Sequence, residues 1–298
     1  MRGLAAVLLL LAAPGSAAVP ITIAPTGHAT VPVTGTFGAR QFVFDTGAEG
    51  SAVYAGFADE VGLRATGSET LQGQTGKSEI VLVRLERLAL DGVSKEPIEA
   101  ARLDARADGV PLAGIVGLDL FGDRTVDFDF PGRTLSLLAP GQRPDGLNGP
   151  GLEAAATTGG LLTIPVRIGR TQAVAVLDTG ARKTRINWAL GRLLGFTTET
   201  LGRGDVIQGA TNRAIETGAA TVRNVRLGRR ALSEAPVLVA DLPVFEAFGV
   251  AGRPAIILGL DWLEQTRLVI DFPARLVWFE EKAAAPSVSP ISERGAPN

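Results

Sequence analysis

The stretch Phe42-Val43-Phe44-Asp45-Thr46-Gly47-Ala48 organises the chain, because its pattern returns at Val176-Leu177-Asp178-Thr179-Gly180-Ala181. In both copies an apolar run ends in an aspartate, which is followed by a threonine and a glycine. Such a run predicts a buried strand, and the glycine permits the tight turn that follows it. Each strand therefore carries an aspartate into a turn, where its carboxylate can face a cleft. We predict that the two aspartates face each other across a pseudo-twofold axis.

The duplication extends along most of the chain. The two aspartates are 133 positions apart, and the Pro-Val pairs at 32–33 and 165–166 have the same separation. Three further features recur in the same order: a polar stretch with glycine, an apolar pair before Gly-Leu-Asp, and an Asp-Phe-Pro turn. A repeat of this length indicates a duplicated domain. The copies lie at 72–76 and 208–212, at 115–119 and 257–261, and at 129–131 and 271–273.

The composition leaves few kinds of chemistry open. The chain has no cysteine, which excludes thiol nucleophiles and cysteine-based zinc sites, and its only histidine is His28. The net charge is −2, from 29 basic and 31 acidic residues, so no basic surface for nucleic acid is indicated. The 37 glycines and 5% aromatic content favour many short strands joined by turns. We therefore expect an all-β protein whose chemistry depends on carboxylates, without a cofactor or metal ion.

The first 18 residues have the features of a secretory signal. Arg2 precedes the apolar run at 4–13, and small residues follow as far as Ala18. The apolar run is too short to span a bilayer. A buried first strand or helix is the alternative interpretation. We expect cleavage after Ala18, an exported protein that is periplasmic or secreted, and no membrane anchor.

The repeat divides the chain into five segments. After the signal at 1–18, we predict an N-terminal lobe at 19–140 and a C-terminal lobe at 161–282. Residues 141–160 are rich in glycine and are predicted to form a linker. Residues 283–298 are rich in Ala, Pro and Ser and are predicted to form a disordered tail.

The doubled set of motifs resembles the retropepsin-like aspartic peptidases, in the form of a single chain with two fused lobes. The resemblance covers most of residues 30–280. It implies two pseudo-symmetric closed β-barrel lobes with a substrate cleft between them. It also implies that Asp45 and Asp178 form a catalytic pair, and that a protein or peptide is the substrate. Because one chain carries both aspartates, we expect a monomer.

The resemblance assigns further roles around each motif. Thr46 and Thr179 would brace the two loops, and Gly47 and Gly180 would allow the backbone and substrate to approach closely. The segments ending at Gly117 and Gly259 would thread behind the motif loops. Two hairpin tips would cover the substrate as flaps; they consist of Gly73, Gln74, Thr75 and Gly76 in the first half and of Gly209, Ala210 and Thr211 in the second.

The sequence also departs from the family pattern. The only tyrosine, Tyr54, cannot occupy the flap position that pepsins give to tyrosine, which favours the retroviral-like branch. Glu49 supplies the acidic residue that this branch places near the substrate backbone, whereas the second half has Arg182 and Lys183. The arginine that viral enzymes carry after the late glycine is replaced by leucine at 118 and 260. These changes affect the substrate subsites and leave the aspartate pair intact.

Two carboxylates held close together share one proton, a behaviour for which aspartic-protease pairs are the standard example. The ionised aspartate would activate a water molecule, and the protonated aspartate would donate to the oxyanion. Three alternatives remain open: aspartates that only accept turn amides, a non-catalytic module that binds an extended peptide by strand addition, and a structural β-barrel. Arg182 next to the second motif favours the peptide-binding module, because a cation there could hold Asp178 ionised.

Other acidic residues fit structural roles. Asp119 and Asp261 follow Gly-Leu and are predicted to be helix N-caps. Asp127, Asp129 and Asp271 are predicted to serve turns and a sheet edge rather than a metal ion.

Overall fold

A computed structural model describes residues 18–73, 75–106, 108–208 and 214–281. Short strands dominate the described chain, and its helices are short, in agreement with the predicted all-β class. No helix among these residues has the length and apolar character needed to cross a membrane. The expected tail at 283–298 and nearly all of the expected signal lie outside the described residues.

The first half of the chain supplies thirteen described strands and two helices. They are β1 (Val19–Pro20), β2 (Thr22–Ile23), β3 (Ala29–Gly35), β4 (Gly38–Phe44), β5 (Ala52–Tyr54), α1 (Ala55–Glu60), β6 (Ala65–Gly73), β7 (Gly76–Leu85), β8 (Leu88–Leu90), β9 (Val93–Lys95), β10 (Ile98–Leu103), β11 (Gly114–Val116), α2 (Leu118–Phe121), β12 (Thr125–Asp129) and β13 (Thr134–Leu138).

The second half follows a similar order within its described residues, with a further helix before the strand that corresponds to β11. It holds β14 (Leu152–Glu153), β15 (Ala155–Ala156), β16 (Leu162–Ile168), β17 (Thr171–Leu177), β18 (Arg185–Ile186), α3 (Trp188–Leu193), β19 (Gly202–Gln208), β20 (Ala214–Leu227), β21 (Arg230–Val239), α4 (Pro243–Ala247), β22 (Ala255–Leu258), a 3₁₀ helix (Leu260–Trp262), β23 (Thr266–Asp271) and β24 (Leu276–Glu281).

The C-terminal lobe is a closed barrel. Its strands follow the order β16-β17-β22-β18-β21-β20, and β20 pairs back onto β16 where Arg226 lies opposite Arg167. Closure pairs the edges of the sheet with each other, so the barrel presents fewer free backbone groups to solvent. The prediction of a barrel-shaped C-terminal lobe is confirmed.

The N-terminal lobe follows the same path as an open half-barrel. Its strands run β6-β7-β10-β5-β11-β4-β3-β8-β9. Two separate strands, β7 and β8, stand where the C-terminal lobe has the single long strand β20. β8 pairs with β3, and Ala89 lies opposite Thr34. The two-lobed fold is therefore confirmed, with the difference that hydrogen bonds close one barrel and leave the other open within the described residues.

A third sheet joins the lobes. Its order is β1-β13-β12-β23-β24-β14, so strands from both halves meet where β12 runs antiparallel to β23. In the turns of this sheet, Asp129 accepts a hydrogen bond from Gly132 N at 2.8 Å and Asp271 accepts one from Ala274 N at 3.0 Å. Asp127 is different, because β12 is an interior strand and not the predicted edge. Its carboxylate binds the Arg267 guanidinium across the lobes at 2.8 and 2.7 Å.

The stretch expected to be a linker, 141–160, contains two short strands. β14 pairs with β24 in the shared sheet, and β15 pairs with β16 in the C-terminal barrel. This part of the chain is therefore built into two sheets.

The strand that carries Asp45 rests on a stack of aromatic rings. Phe44 is fully buried, and its ring lies 4.5 Å from that of Phe121 and 5.8 Å from that of Phe128. Phe128 belongs to the shared sheet, so the end of β4 is packed against the part of the molecule that joins the lobes. This packing holds the turn after Phe44 in a defined position.

Candidate active site

The two motif turns leave equivalent strands in equivalent ways. β4 runs parallel to β11 and β17 runs parallel to β22. Asp45 N donates to Val116 O and Asp178 N donates to Leu258 O, each at 3.1 Å. Each aspartate is thereby fixed by a strand on its own lobe before its side chain enters the space between the lobes.

The late glycine of each repeat passes directly behind the motif turn. A Cβ atom on Gly117 would lie 2.8 Å from Ala48 O, and one on Gly259 would lie 2.8 Å from Ala181 O. Both distances are shorter than real Cβ contacts, so a side chain at either position would displace the backbone of the motif turn. The following amides close the contact, because Leu118 N donates to Ala48 O at 2.9 Å and Leu260 N donates to Ala181 O at 2.8 Å.

A hydroxyl and a carboxylate lock each threaded segment in place. Ser51 Oγ donates to Asp119 Oδ1, and Thr184 Oγ1 donates to Asp261 Oδ1, both at 2.7 Å. The same hydroxyls accept the amides of the late glycines, at 3.2 Å in the first lobe and 3.0 Å in the second. The predicted N-cap roles of the two aspartates are therefore wrong, because the late glycines occupy the cap positions and the carboxylates bind hydroxyl groups.

Thr46 and Thr179 connect the two lobes beneath the carboxylates. Thr46 Oγ1 donates to Leu177 O at 2.9 Å and accepts from Thr179 N at 3.1 Å. Thr179 Oγ1 donates to Phe44 O at 2.7 Å and accepts from Thr46 N at 3.0 Å. Both side chains are buried, so this four-bond bridge is shielded from water.

Gly47 and Gly180 make room for the carboxylates of the opposite lobe. A Cβ on Gly47 would lie 2.6 Å from Asp178 Cγ, and a Cβ on Gly180 would lie 2.6 Å from Asp45 Oδ1. The absence of these side chains lets each carboxyl group pack against the motif turn of the opposite lobe, where the two carboxyl groups are close enough to repel each other electrostatically. The structure therefore brings together the two aspartates that the repeat pattern predicted to face each other.

Each carboxylate is also held by its own turn. Asp45 Oδ1 accepts from Gly47 N and Asp178 Oδ1 accepts from Ala181 N, both at 2.8 Å. Burial, followed by repulsion from Asp178, raises the pKa of Asp45 well above its ordinary value of 3.8. Burial also raises the pKa of Asp178, but the charge of Arg185 opposes this effect. The charge of Arg185 therefore makes the surroundings of the two carboxylates electrostatically unequal.

One predicted flap is described as far as its tip. β6 and β7 form a hairpin in which Gly73 lies opposite Gly76, and both Thr75 and Gly76 are buried. β6 also contacts helix α4 of the other lobe. Gln74 lies outside the described residues, as do Gly209, Ala210 and Thr211, which were predicted to form the tip of the second flap between β19 and β20.

Glu49 and Arg182 occupy equivalent positions and meet equivalent turns. Gly159 lies against the Glu49 side chain, since a Cβ on that glycine would lie 2.6 Å from Oε2. Arg182 Nη1 donates to Thr26 O at 2.9 Å. Both side chains therefore reach across to a turn that belongs to the other half of the sequence.

Several residues near the aspartates were not selected from the sequence as site residues. Ser51 and Thr184 could have been found, because each lies six positions after its aspartate and carries a hydroxyl. Arg185 had no such signal, because its counterpart in the repeat is Ala52. The described residues contain no group of three or more acidic or histidine side chains arranged to hold a metal ion.

A comparison with known families agrees with this arrangement. A family model described as aspartyl protease matches the chain twice, over residues 29–120 and 164–262. Each match contains one Asp-Thr-Gly motif and the apolar segment that threads behind it, and together the matches cover more than half of the chain. No curated protein matches the chain. The chain therefore belongs to the retropepsin-like aspartyl protease family, with one copy of the family's domain in each of its two lobes.

Proposed function

We propose that this protein is an aspartic endopeptidase that hydrolyses peptide bonds with a water molecule activated between Asp45 and Asp178. The observation that supports this proposal is that each aspartate carboxyl group leaves an equivalent turn of its own lobe and packs against the motif glycine of the other lobe, Asp45 against Gly180 and Asp178 against Gly47. Family membership implies a peptidase, and the geometry of the pair suggests how it would act.

In the proposed mechanism, the pair carries one proton, which resides on Asp45. Asp178, kept ionised with help from the charge of Arg185, takes a proton from the water molecule as its oxygen bonds to the peptide carbonyl carbon. Asp45 gives its proton to the carbonyl oxygen. The resulting diol collapses when Asp178 passes its proton to the amide nitrogen, which leaves as an amine, and Asp45 recovers a proton from a diol hydroxyl.

The hairpin of β6 and β7 supplies a place for the substrate. An extended peptide under this hairpin could add to its exposed backbone groups as a further strand, which is a common way of binding peptides. The buried tip at Thr75 and Gly76 would then cover the scissile bond and exclude water other than the attacking molecule. Because both aspartates belong to one chain, the proposed active unit is a monomer.

The proposed place of action is outside the cytoplasm, in a periplasm or the extracellular medium. This part of the proposal depends on the sequence of residues 1–18, with its basic start, apolar run and small residues before Val19. Mass spectrometry of the mature protein recovered from an expressing bacterium would test it. We expect an N-terminus at Val19, and retention of Met1 or Arg2 would contradict export by this signal.

The test of catalysis is replacement of each aspartate. Asp45→Asn and Asp178→Asn should each lower the rate of cleavage of a diverse peptide mixture by about 10²–10⁴-fold or more, because each removes one proton-transfer group. Mass spectrometry of the products across a range of pH measures the loss. Asp123→Asn changes an exposed carboxylate, 70% accessible, and is the matched control.

A folded double variant that still cleaves peptides would refute the catalytic assignment. A wild-type protein that binds peptides but cleaves none of them at any pH would instead favour the non-catalytic peptide-binding module. Thermal unfolding of every variant separates loss of chemistry from loss of fold.

A further inference from the structure

Arg185 is a buried cation without a hydrogen-bonding partner for most of its guanidinium group. The residue is 8% exposed, and Nε and Nη1 are both buried and unpaired among the described residues. None of the ion pairs formed by described residues includes it. Arg230, which is equally buried, also has an unpaired Nε, but its Nη1 donates to the carbonyl oxygen of Trp262.

A buried charged group with unmade hydrogen bonds is unfavourable, so its presence requires a compensating partner or a function. Guanidinium groups are well suited to bind carboxylates, because their donors form a planar fork that matches two carboxylate oxygens. The acidic groups whose charges act on Arg185 are Asp178, Asp261 and Asp205. Asp261 and Asp205 already bind other donors, Thr184 and Lys183, so neither is a dedicated partner.

The direction of the side chain places Arg185 beside the aspartate pair. Neighbouring residues in an extended segment point to opposite faces. Thr184 points behind the motif turn, where it binds Asp261 and Gly259 N. Arg185 therefore points to the opposite face, and its electrostatic interaction with Asp178 agrees with a side chain directed toward that carboxylate.

Other basic side chains lie on the same flank of the cleft as Arg185. Arg182 is exposed and binds Thr26 O across the cleft. His28 is kept uncharged at neutral pH, because burial and the charges of Arg106 and Arg182 lower its pKa to about 4. Arg106 is neutralised by Asp108. The guanidinium groups of Arg182 and Arg185, neither of which forms an ion pair among the described residues, therefore remain on the Asp178 side of the cleft.

The pseudo-symmetric flank of Asp45 has a different chemistry. Ala52 takes the place of Arg185, Glu49 that of Arg182, and Leu161 that of His28. The last correspondence follows from matching turns, in which Ala24 N donates to His28 O at 3.0 Å and Thr157 N donates to Leu161 O at 2.8 Å. One flank of the cleft is thus basic, and the other is apolar and acidic.

We propose that Arg185 forms the floor of a carboxylate-binding subsite on the Asp178 side of the cleft, and that the protein selects peptides with a carboxylate close to the scissile bond. This inference depends on the proposed peptidase function for its biological meaning, but the binding site itself can be tested without cleavage. The carboxylate belongs either to an Asp or Glu side chain or to the C-terminus of the peptide.

The experiment compares matched peptides that differ in one group. A cleaved peptide is made with Glu or Gln at each position around the scissile bond, and kcat/KM is measured for both members of each pair. At one position the wild type should prefer Glu by about ten-fold or more, since a charged hydrogen bond is replaced by a poorer one. Arg185→Met should abolish that preference, and Arg185→Lys should retain part of it.

The Glu-to-Gln ratio isolates the subsite, because any effect of Arg185 on the aspartate pair changes both rates equally. Arg223→Met, which removes an exposed arginine from β20, is the matched control and should leave the ratio unchanged. Peptides with a free or an amidated C-terminus distinguish a side-chain carboxylate from a terminal one. An unchanged ratio in Arg185→Met at every position, with either kind of carboxylate, would overturn the proposal.

Calorimetry separates this proposal from the peptidase function. The Asp45→Asn protein, with and without Arg185→Met, is titrated with the Glu and Gln peptides and with their free-acid and amidated forms. Tighter binding of a carboxylate-bearing peptide only when Arg185 is present supports the subsite even if no peptide is ever cleaved. Equal binding of all forms by both proteins refutes the subsite even if the wild type proves to be a peptidase.

Discussion

The two motif turns are alike behind their aspartates and different beside them. Behind them, each lobe has the same threaded glycine, the same hydroxyl and the same carboxylate, with hydroxyl-to-carboxylate distances of 2.7 Å in both. Beside them, the first repeat has Ala52 at the position where the second has the buried Arg185. The supporting framework is thus symmetric, whereas the charge around the pair is not.

This difference separates two requirements of the site. Bringing two carboxylates together needs equal geometry from both lobes, and any change behind one turn would move one carboxylate away from the other. Two identical carboxylates can share one proton through their mutual repulsion, but giving each of them a fixed role needs inequality. The buried arginine in one lobe provides such an inequality without altering the backbone that positions the pair.

The largest expected effect on stability comes from the threonine bridge between the lobes, which belongs to the symmetric framework of the site. Thr46→Val and Thr179→Val should each lower the free energy of unfolding by about 2–3 kcal/mol, since each removes a buried donor and leaves the amide of the opposite threonine unpaired. Chemical denaturation measures both losses. The symmetric bridge predicts nearly equal values for the two variants.

Serine is the control at both positions, because it keeps the hydroxyl and loses only a methyl group. Thr46→Ser and Thr179→Ser should therefore be much less destabilising than the valine variants. If Thr46→Val were harmless and Thr179→Val were not, the two halves of the bridge would be unequal and the symmetric description would fail.

The sequence predicted the symmetric part well. Asp45, Thr46 and Gly47 recur as a motif, so the turn, the facing aspartates and the two-lobed class could all be inferred from one repeat. The shared sheet was visible only as a repeated Asp-Phe-Pro turn, because nothing in a single strand such as β12 indicates that its partner comes from the other lobe.

The difference in charge between the two flanks could not be predicted from the repeat. Arg185 lies in a two-residue strand with no periodic pattern, and an arginine there would ordinarily be assigned to the surface. Its burial depends on packing between elements that are distant in the chain. The role of Asp127 was also misjudged, because its partner Arg267 is 140 residues away.

A smaller expected effect concerns the free energy of unfolding, which depends on pH through the raised pKa values of Asp45 and Asp178. Burial raises the pKa of both aspartates, so the folded state binds their protons more tightly than the unfolded chain does. The resulting stabilisation is complete below the ordinary value of 3.8 and is lost as the pH rises through the raised pKa. At neutral pH the buried negative charge therefore lowers the free energy of unfolding. Asparagine, an uncharged isostere of aspartate, avoids this loss.

Asp45→Asn and Asp178→Asn should each raise the free energy of unfolding at pH 7 by about 1–2 kcal/mol. The gain should shrink as the pH is lowered toward 4, because the pKa of each aspartate is raised in the folded state. Thermal unfolding at a series of pH values provides the measurement. A gain that grows on acidification would contradict the raised pKa values.

The smallest effect concerns the pH dependence of catalysis in an Arg185→Met variant. The charge of Arg185 lowers the pKa of Asp178 against the effect of burial, so its removal should raise that pKa. Cleavage requires Asp178 to be ionised, and the acid limb of kcat/KM should therefore move to higher pH. Arg182, Asp205 and Asp261 also interact electrostatically with Arg185, so the shift of the acid limb reports only the part that Arg185 contributes.

Two control variants show whether this shift of the acid limb is specific to the charge of Arg185. Arg223→Met removes the same charge from an exposed position on β20 and should leave the acid limb in place. Arg185→Lys should keep most of the wild-type profile, because the positive charge stays on the same flank. A profile that is identical in wild type and Arg185→Met would mean that the inequality of the pair comes from burial alone, and that Ala52 and Arg185 are electrostatically equivalent neighbours of the two aspartates.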